Sequence, residues 1–342
     1  MSDSTIVLAA CCAIFAVRAP SAAEALPEGV RLQEHKRWPD CPVLTAPEAK
    51  LKVVVVPAIG GRIVHYGPED ANIIFEVPGS DGKTLANHKG WFWVGGYQCD
   101  LGPEIRGLPG HDTLWLGPYS ARAAAPYAVN LASEPDAVTG IQLEKEIKLD
   151  PKTGALTVVQ RMMNISDKET RFCLWDRTLC VGGGFAFFPL NRKSRFPAGW
   201  CLRVKPKGDD AYRSTDPALP NVKVLDGVLV VECKGKDGKL GADSDAGWIG
   251  YARGKQLYLK TFPVSGDGLY SDGGNTVEVY WSNQVGEIEP LSPERTLKPG
   301  ERFEFTEQWA LLALPEEITS FEAARALVDQ AAAAADGLRK AP

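Results

Sequence analysis

Ile141-Gln142-Leu143-Glu144-Lys145-Glu146-Ile147-Lys148-Leu149 decides the fold class of this chain. Ile141, Leu143, Ile147 and Leu149 point one way, and Gln142, Glu144, Glu146 and Lys148 the other. A helix would spread these residues around its axis; a period of two belongs to a strand with one face buried and one in water. Asp150-Pro151-Lys152-Thr153-Gly154 reads as a turn, and Ala155 to Asn164 as the returning strand. Asn164-Ile165-Ser166-Asp167-Lys168 turns again, into a strand over Arg171 to Val181.

The same signals recur on both sides. Val53 to Val56 is a four-valine run, suited to a strand buried on both faces. Pro57 ends it, Ile59-Gly60-Gly61-Arg62 turns, and Arg62 to Tyr66 returns, with a third strand over Asn72 to Val77. Downstream, strands fit Val228–Cys233, Trp248–Ala252, Gln256–Phe262, Thr276–Ser282, Val285–Leu291 and Arg302–Leu312. Only the tail is helical: Thr319-Ser320-Phe321-Glu322 fits a capping box, Phe321, Ala324, Leu327 and Val328 follow at helical spacing, and Gly337 is the expected stop. Roughly fifteen strands and one terminal helix predict an all-β protein, a single large β-sandwich. No repeat of 20–50 residues suggests a propeller. The expected organisation is a signal peptide over 1–23, an extended arm over 24–49, the sandwich over 50–314, and a helix with its tail over 315–342.

Composition narrows the partners. With 44% apolar and 24% charged residues the chain is an ordinary folded protein, and a net charge of −5 argues against a nucleic-acid partner. The one short basic cluster, Arg192, Lys193 and Arg195, falls in a loop. Ile6 to Val17 is a 12-residue apolar run, too short to span a bilayer. Ala19-Pro20-Ser21-Ala22-Ala23 follows and suits signal-peptidase cleavage, so a periplasmic or extracellular protein is expected, although no Lys or Arg precedes the run. Leu8-Ala9-Ala10-Cys11 resembles a lipobox and leaves a lipoprotein as the lesser alternative. The later cysteines, at 41, 99, 173, 180, 201 and 233, form no CxxC or metal pattern and read as buried thiols. Asp243-Ser244-Asp245 lacks the further carboxylates of a calcium loop and reads as a solvated loop. No metal or cofactor is expected, and nothing in the sequence sets the oligomeric state.

One stretch stands out as chemical. Asn87 to Tyr119 holds Trp91, Trp93 and Trp115, His88 and His111, and Asp100, Glu104, Arg106 and Asp112, broken by Gly102-Pro103, Pro109-Gly110 and Gly117-Pro118. No helix or long strand is expected through such punctuation. Aromatic faces beside ionisable groups suit a ligand with apolar faces and hydroxyls; the rival is tryptophans filling one end of the sandwich. His88 and His111 flank the aromatics and titrate near neutrality, whereas His65, on a strand, reads as structural.

Strand parity adds two further walls. Trp175 and Arg177 share one face, an indole and a fork of donors; Asp176 then falls among apolar neighbours and needs a partner. Glu287 and Glu289 lie two apart on one strand face, and Glu278 shares its face with Tyr280. Like charges on one face raise a carboxyl pKa, which suits a general acid.

Pro57-Ala58-Ile59-Gly60-Gly61-Arg62-Ile63 resembles the opening hairpin of galactose mutarotase-like proteins. Gly140 to Ile147, Leu156-Thr157-Val158 and Met163 to Lys168 resemble their central meander, and Leu297-Lys298-Pro299-Gly300-Glu301 with Trp309 their closing hairpin. The resemblance spans residues 50–312 and is closest to a branch of that superfamily with no assigned function. It implies a β-supersandwich with a sugar site on its concave face. The mutarotase histidine falls at Arg177, and a histidine of the unassigned branch, after Gly-Gly, falls at Tyr97; the late glutamate falls among Glu287 and Glu289.

The expectation is therefore a carbohydrate ligand. Glu289, Glu287, His88, His111 and Asp100 are the candidate proton-transfer groups, and Trp91, Trp93, Tyr97, Glu104, Arg106, Trp175 and Arg177 the candidate ligand contacts. Epimerase, glycoside hydrolase and uronic-acid lyase chemistry stay open beside a non-catalytic glycan-binding module and a structural accessory domain. Convergence of Trp93, His88, Glu104, Arg177 and Glu289 on one open cleft would favour chemistry, and their scatter would count against an enzyme.

Overall fold

The structure is a computed structural model that describes residues 25–90, 92–104, 110–205, 207–208, 211–214 and 219–340. Two antiparallel sheets carry the chain, with strands numbered in chain order. The first runs β1 (Val30–His35), β2 (Trp38–Ala46), β3 (Leu51–Val56), β4 (Arg62–Gly67), β5 (Tyr97–Gly102), β10 (Thr170–Val181), β19 (Val285–Pro290), β18 (Val277–Trp281), β16 (Gly238–Ala242), β12 (Cys201–Arg203) and β13 (Tyr212–Ser214), with β20 (Arg295–Leu297) on the start of β10. The second runs β14 (Val222–Leu225), β15 (Val228–Glu232), β11 (Phe185–Pro189), β17 (Trp248–Thr261), β21 (Arg302–Ile318), β9 (Leu156–Asn164), β8 (Ile141–Leu149), β7 (Ala128–Ser133) and β6 (Tyr119–Ala125).

The alternating stretch behaves as its period requires. Ile141, Leu143, Ile147 and Leu149 of β8 are buried against the first sheet's Val53, Val55, Ile63 and Leu174. Burying each such side chain contributes about 1.5–3 kcal/mol. Lys145 lies on this buried face too; its ammonium donates to the carbonyls of Gly60 and Gly61, at 2.7 and 3.2 Å, and faces the rings of Tyr97 and Tyr119. A second interior cation, Lys260, is fully buried and paired with Asp176 and Glu307, so the partner that Asp176 needs is present. The four-valine run is buried on both faces: Val53 and Val55 face the second sheet, while Val54 and Val56 pack under Ile59, Phe92 and Val94.

The outer face of the second sheet is closed by α2 (Phe321–Ala326) and α3 (Val328–Lys340), whose Ala324, Val328, Ala331, Ala335 and Leu338 pack on Phe185, Phe187, Trp248 and Leu259. No helix among the described residues is long and apolar enough to cross a membrane.

Several boundaries differ from the sequence reading. Residues assigned to an arm supply β1 and β2, which extend the first sheet from β3. Asn72 to Val77 forms no strand, only bridges at Ile74 and Glu76, because the Asn72 side chain holds the turn by accepting from the amides of Tyr66 and Ile74 and donating to the Val64 carbonyl. Trp248–Ala252 and Gln256–Phe262 fuse into β17 across a register shift near Gly254. β21 continues to Ile318. The helical cap is Ser320, whose hydroxyl accepts from the Ala323 amide, and α3 runs through Gly337. Asp243 is buried rather than solvated, accepting from the Ser194 hydroxyl and the Arg195 amide. The six described cysteines are buried and unpaired, and His65 is buried against the carbonyls of Gly67 and Pro68.

Candidate functional site

Beyond β4 the outer face of the first sheet turns from apolar to charged. Register explains which residues meet there. Trp175 stands opposite Asp100 and Arg177 opposite Gln98. Glu278 stands opposite Glu289, Tyr280 opposite Glu287, and Lys239 opposite Tyr280. Opposed residues share a face, as do residues two apart on one strand. Five adjacent strands, β5, β10, β19, β18 and β16, therefore project Gln98, Asp100, Trp175, Arg177, Glu287, Glu289, Glu278, Tyr280 and Lys239 on one side. The intervening residues, such as Leu174, Ile288 and Val279, enter the core.

Two cations organise this face. The Lys239 ammonium lies 2.7 Å from Glu289, 3.0 Å from Glu278 and 3.7 Å from Glu104. Glu104 also pairs with Arg203 at 2.8 Å. The Arg177 guanidinium sits 3.9 Å from the Trp175 ring centroid and 5.2 Å from that of Trp115, and 3.5 Å from Asp100. The other oxygen of Asp100 meets His111 Nε2 at 2.5 Å.

His111 and Trp115 bracket α1 (Asp112–Trp115), a single helical turn. That turn is pinned to the sheet from three sides. The Trp115 indole donates to Gln98, Arg62 donates to the carbonyls of Gly95 and Trp115, and the Gly60 amide donates to Gly117. Gly60 has φ +67, and a Cβ there would lie 2.2 Å from the Trp115 carbonyl oxygen, so only glycine allows this approach.

The site separates carboxyls by environment. Burial pushes the Glu289 carboxyl up to about 8; Lys239 opposes this, and Glu287 and Glu278 reinforce it. Burial likewise raises Glu287, against Arg177 and Lys239. Asp100 moves the other way: burial alone would raise it, but His111, Arg177 and the Leu101 amide outweigh burial and hold it low. Glu104 is also low, since Lys239, Arg177 and Arg203 outweigh its burial. Glu287 is half-buried and makes no hydrogen bond or ion pair among the described residues. A carboxyl that keeps its proton near neutrality, beside ionised carboxylates and an aspartate-held histidine, can exchange protons with a ligand hydroxyl or ether oxygen. Among the described residues no group of three His, Cys, Asp or Glu side chains is placed to hold a metal ion.

Of the residues singled out in the sequence, Glu287, Glu289, Asp100, His111, Glu104, Trp175 and Arg177 come together here. Tyr97 does not. It lies one residue out of phase with Gln98 and points into the sandwich, where Lys145 and Lys260 stand 5.3 and 5.4 Å from its ring and Trp309 packs edge-on. Trp175 belongs to the cluster but offers no open platform. It is fully buried, with Arg177 and Lys239, the latter at 4.4 Å, over its ring. His88 packs against Phe92 and Trp93 against Phe75, over the apolar half of the sheet. Thus Glu104, Arg177 and Glu289 converge, and Trp93 and His88 stand apart. Trp91 and Arg106 lie outside the described residues. Two surface grooves beside α2 carry only rim ion pairs, such as Asp226–Arg325 at 3.6 Å.

Sequence reasoning missed Lys239, Arg62, Arg203, Gln98 and the role of Trp115. Lys239 lies in a Lys- and Gly-rich stretch that reads as a loop. Its one signal is a cation in alternation with Leu240 before a Gly-Ala pair. Arg62 carried a hint as the first residue after the Gly-Gly turn.

The family described as Domain of unknown function (DUF4380) matches residues 111–312. No curated protein sequence matches the chain significantly. Solved structures do. A putative aldose 1-epimerase from Escherichia coli K12 aligns with TM-score 0.57 at 11% identity, over 80% of this chain and 99% of its own. A galactose mutarotase-like protein from Clostridium acetobutylicum aligns with TM-score 0.57 at 10% identity, over 84% and 99%. Another from Lactobacillus casei ATCC 334 aligns with TM-score 0.53 at 13% identity, over 79% and 100%. At such identities the likeness is one of fold, and the fold is the galactose mutarotase-like one.

Proposed function

This chain belongs to the DUF4380 family, and from that premise we propose that it binds a sugar on the outer face of its first sheet and exchanges protons with it. The observation that carries this reading is the Glu289 carboxyl: buried, tied at one oxygen to Lys239, unengaged at the other, and holding its proton to about pH 8. A buried carboxyl oxygen with no hydrogen bond calls for an explanation, and on this face a ligand hydroxyl supplies one.

The chemistry that fits is acid–base work at an anomeric centre. A base removes the proton of the anomeric hydroxyl as the C1–ring-oxygen bond breaks, and the ring oxygen takes a proton from an acid. Reclosure on the other face of C1 completes an epimerisation. Glu289 suits the acid. The base is Glu287, which reaches solvent, or His111, held by Asp100. A glycosidic oxygen as proton acceptor gives the hydrolase variant of the same site. Among the described residues Arg177, Lys239 and Arg203 each already face a carboxylate. A neutral sugar therefore suits the face better than a uronic acid.

A second reading, a non-catalytic glycan-binding module, is favoured by Arg177. It stands where mutarotases are expected to place a histidine, and a guanidinium does not release its proton near neutrality. Incubation with a panel of neutral sugars, uronic acids and oligosaccharides separates the readings. Anomeric exchange or product release supports chemistry; saturable binding without either supports the module; neither binding nor turnover across the panel overturns both. Export is part of the proposal, on the strength of Ile6 to Val17 and the alanine-rich segment after it. N-terminal sequencing of the mature protein tests it, and a chain that keeps residues 1–23 in the cytoplasm contradicts it.

A further inference from the structure

Three carboxyls crowd the charged face of the first sheet, and the structure satisfies them unequally. Glu278 has a partner at each oxygen: Oε1 accepts from the Asn275 amide at 2.8 Å, and Oε2, which makes no hydrogen bond among the described residues, is ion-paired 3.0 Å from the Lys239 ammonium. Glu289 is held at one: Oε2 accepts from Lys239 at 2.7 Å, while Oε1 is buried with no hydrogen-bond partner among the described residues. Glu287 is held at neither. All three carboxyls and Lys239 project from three neighbouring strands, β16, β18 and β19, so the inequality comes from where one ammonium stands rather than from depth alone.

We propose that Lys239 is a positioning residue that keeps the proton of Glu289 on Oε1 and so makes Glu289, rather than Glu278, the group that exchanges a proton with a bound ligand. The part concerning a ligand rests on the function proposed above. The argument is one of valence. An ammonium has three N–H donors and no acceptor, and in a neutral carboxyl the carbonyl oxygen accepts far better than the hydroxyl oxygen. Oε2 of Glu289 is therefore the carbonyl-type oxygen of the neutral acid, and the hydrogen sits on Oε1. When that O–H bond breaks, the electron pair stays on the carboxylate and the hydrogen passes to the ligand oxygen. The ammonium already in place stabilises the resulting anion without rearrangement.

Lys239 is enclosed on several sides. Its side chain is 8% exposed, it lies 4.4 Å over the Trp175 ring, and Glu104 stands 3.7 Å away on a third side. The charged and titratable groups facing the pair are Glu104 after β5, Arg177 from β10 and Tyr280 from β18. Glu287 and Glu278 face it from β19 and β18, Arg203 from β12, and Tyr212 from β13.

The test reads carboxyl titration in the ligand-free protein by carbon-13 NMR of glutamate-labelled chain, with the Glu289 resonance identified by its loss in Glu289→Gln. Lys239→Met should raise the Glu289 midpoint by about one pH unit or more, a tenfold gain in proton affinity. Lys239→Arg should keep it within about half a unit, because the charge remains. Should Lys239→Met fail to fold, Glu278→Gln carries the test. It keeps the shape but removes the rival for the ammonium, and should lower the Glu289 midpoint. A midpoint unmoved in Glu278→Gln, or moved as far by Lys239→Arg as by Lys239→Met, overturns the assignment. Because no sugar is present, a chain that binds none still gives this answer. Sugar turnover with unmoved midpoints would overturn the role of Lys239 and leave the cleft reading standing.

Discussion

Replacing Glu289 by Gln is expected to stabilise the folded protein, and increasingly so as the pH rises. Burial pushes the carboxyl up to about 8 in the folded protein, from the ordinary glutamate value of 4.5. Between those values the folded state keeps a proton that the unfolded state has lost. Stability therefore falls with rising pH, by about 1.4 kcal/mol per pH unit for one proton. The sign follows from the raised value: the penalty is absent below pH 4.5, grows up to about pH 8, and levels off above it. A glutamine amide has the shape of the protonated acid and no proton to lose. Near pH 5 the variant and the parent should differ by less than about 1 kcal/mol. By pH 7.5 the difference in their slopes amounts to about 3 kcal/mol in favour of the variant. Coupling to Glu287, also raised, spreads the parent's loss over a wider range without changing its direction. Urea unfolding at half-unit steps from pH 5 to pH 8.5 measures both curves. Parallel curves would show that Glu289 is ionised throughout and would remove the proton donor from the mechanism.

Lys260→Met leaves Asp176 and Glu307 buried between the sheets without a cation, and should cost about 3–5 kcal/mol in urea unfolding at pH 6, well below the value of about 8 to which burial lowers the ammonium. A loss under about 1 kcal/mol would contradict the pairing. Gly60→Ala forces a left-handed residue and a clash with the Trp115 carbonyl, and should cost about 2 kcal/mol, with a changed tryptophan emission as α1 shifts. Unchanged emission and stability would place α1 elsewhere. Tyr97→Phe removes a buried hydroxyl that has no hydrogen-bond partner among the described residues, so stability should change by under about 1 kcal/mol. Sugar binding should survive that change, whereas Arg177→Met should abolish it. Loss of binding in Tyr97→Phe would put that residue back in the cleft.

Much of this architecture is legible in the sequence, because period two speaks directly of faces. The strand from Ile141 to Leu149 occurs with the predicted ends. Parity alone sorts Trp175 and Arg177 from Asp176, and pairs Glu287 with Glu289. The same parity marks Lys145 as a buried cation, a reading that the alternation contains but that is easily passed over. Tyr97 shows the opposite limit. Its neighbours in sequence are site residues, yet the pleat turns it inward, and a one-residue phase error reverses every inference about a face. Lys239 was not legible because its meaning comes from pairing. Glu278 and Glu289 lie 39 and 50 residues away in sequence, and only the order β19-β18-β16 brings them to one ammonium. Strand order is set by the closure of the whole sandwich, which no local pattern records. His88 and Trp93 fail for a related reason: they share the aromatic stretch with His111, but the chain crosses from the apolar half of the sheet to the charged half between them.

The most direct test of a sugar site on this face is a titration of the uniformly nitrogen-15-labelled protein with a panel of neutral sugars, following the indole N–H signals of Trp115, Trp175 and Trp248, each assigned by its Phe variant. Trp115 lies on the charged face and Trp175 beneath its Arg177 and Lys239, whereas Trp248 lies under the C-terminal helices on the far side of the molecule. A sugar of the right class is predicted to shift the first two in a saturable way, with Trp248 unmoved. Saturable shifts at Trp248 alone, or none at Trp115 and Trp175 across the panel, would contradict it.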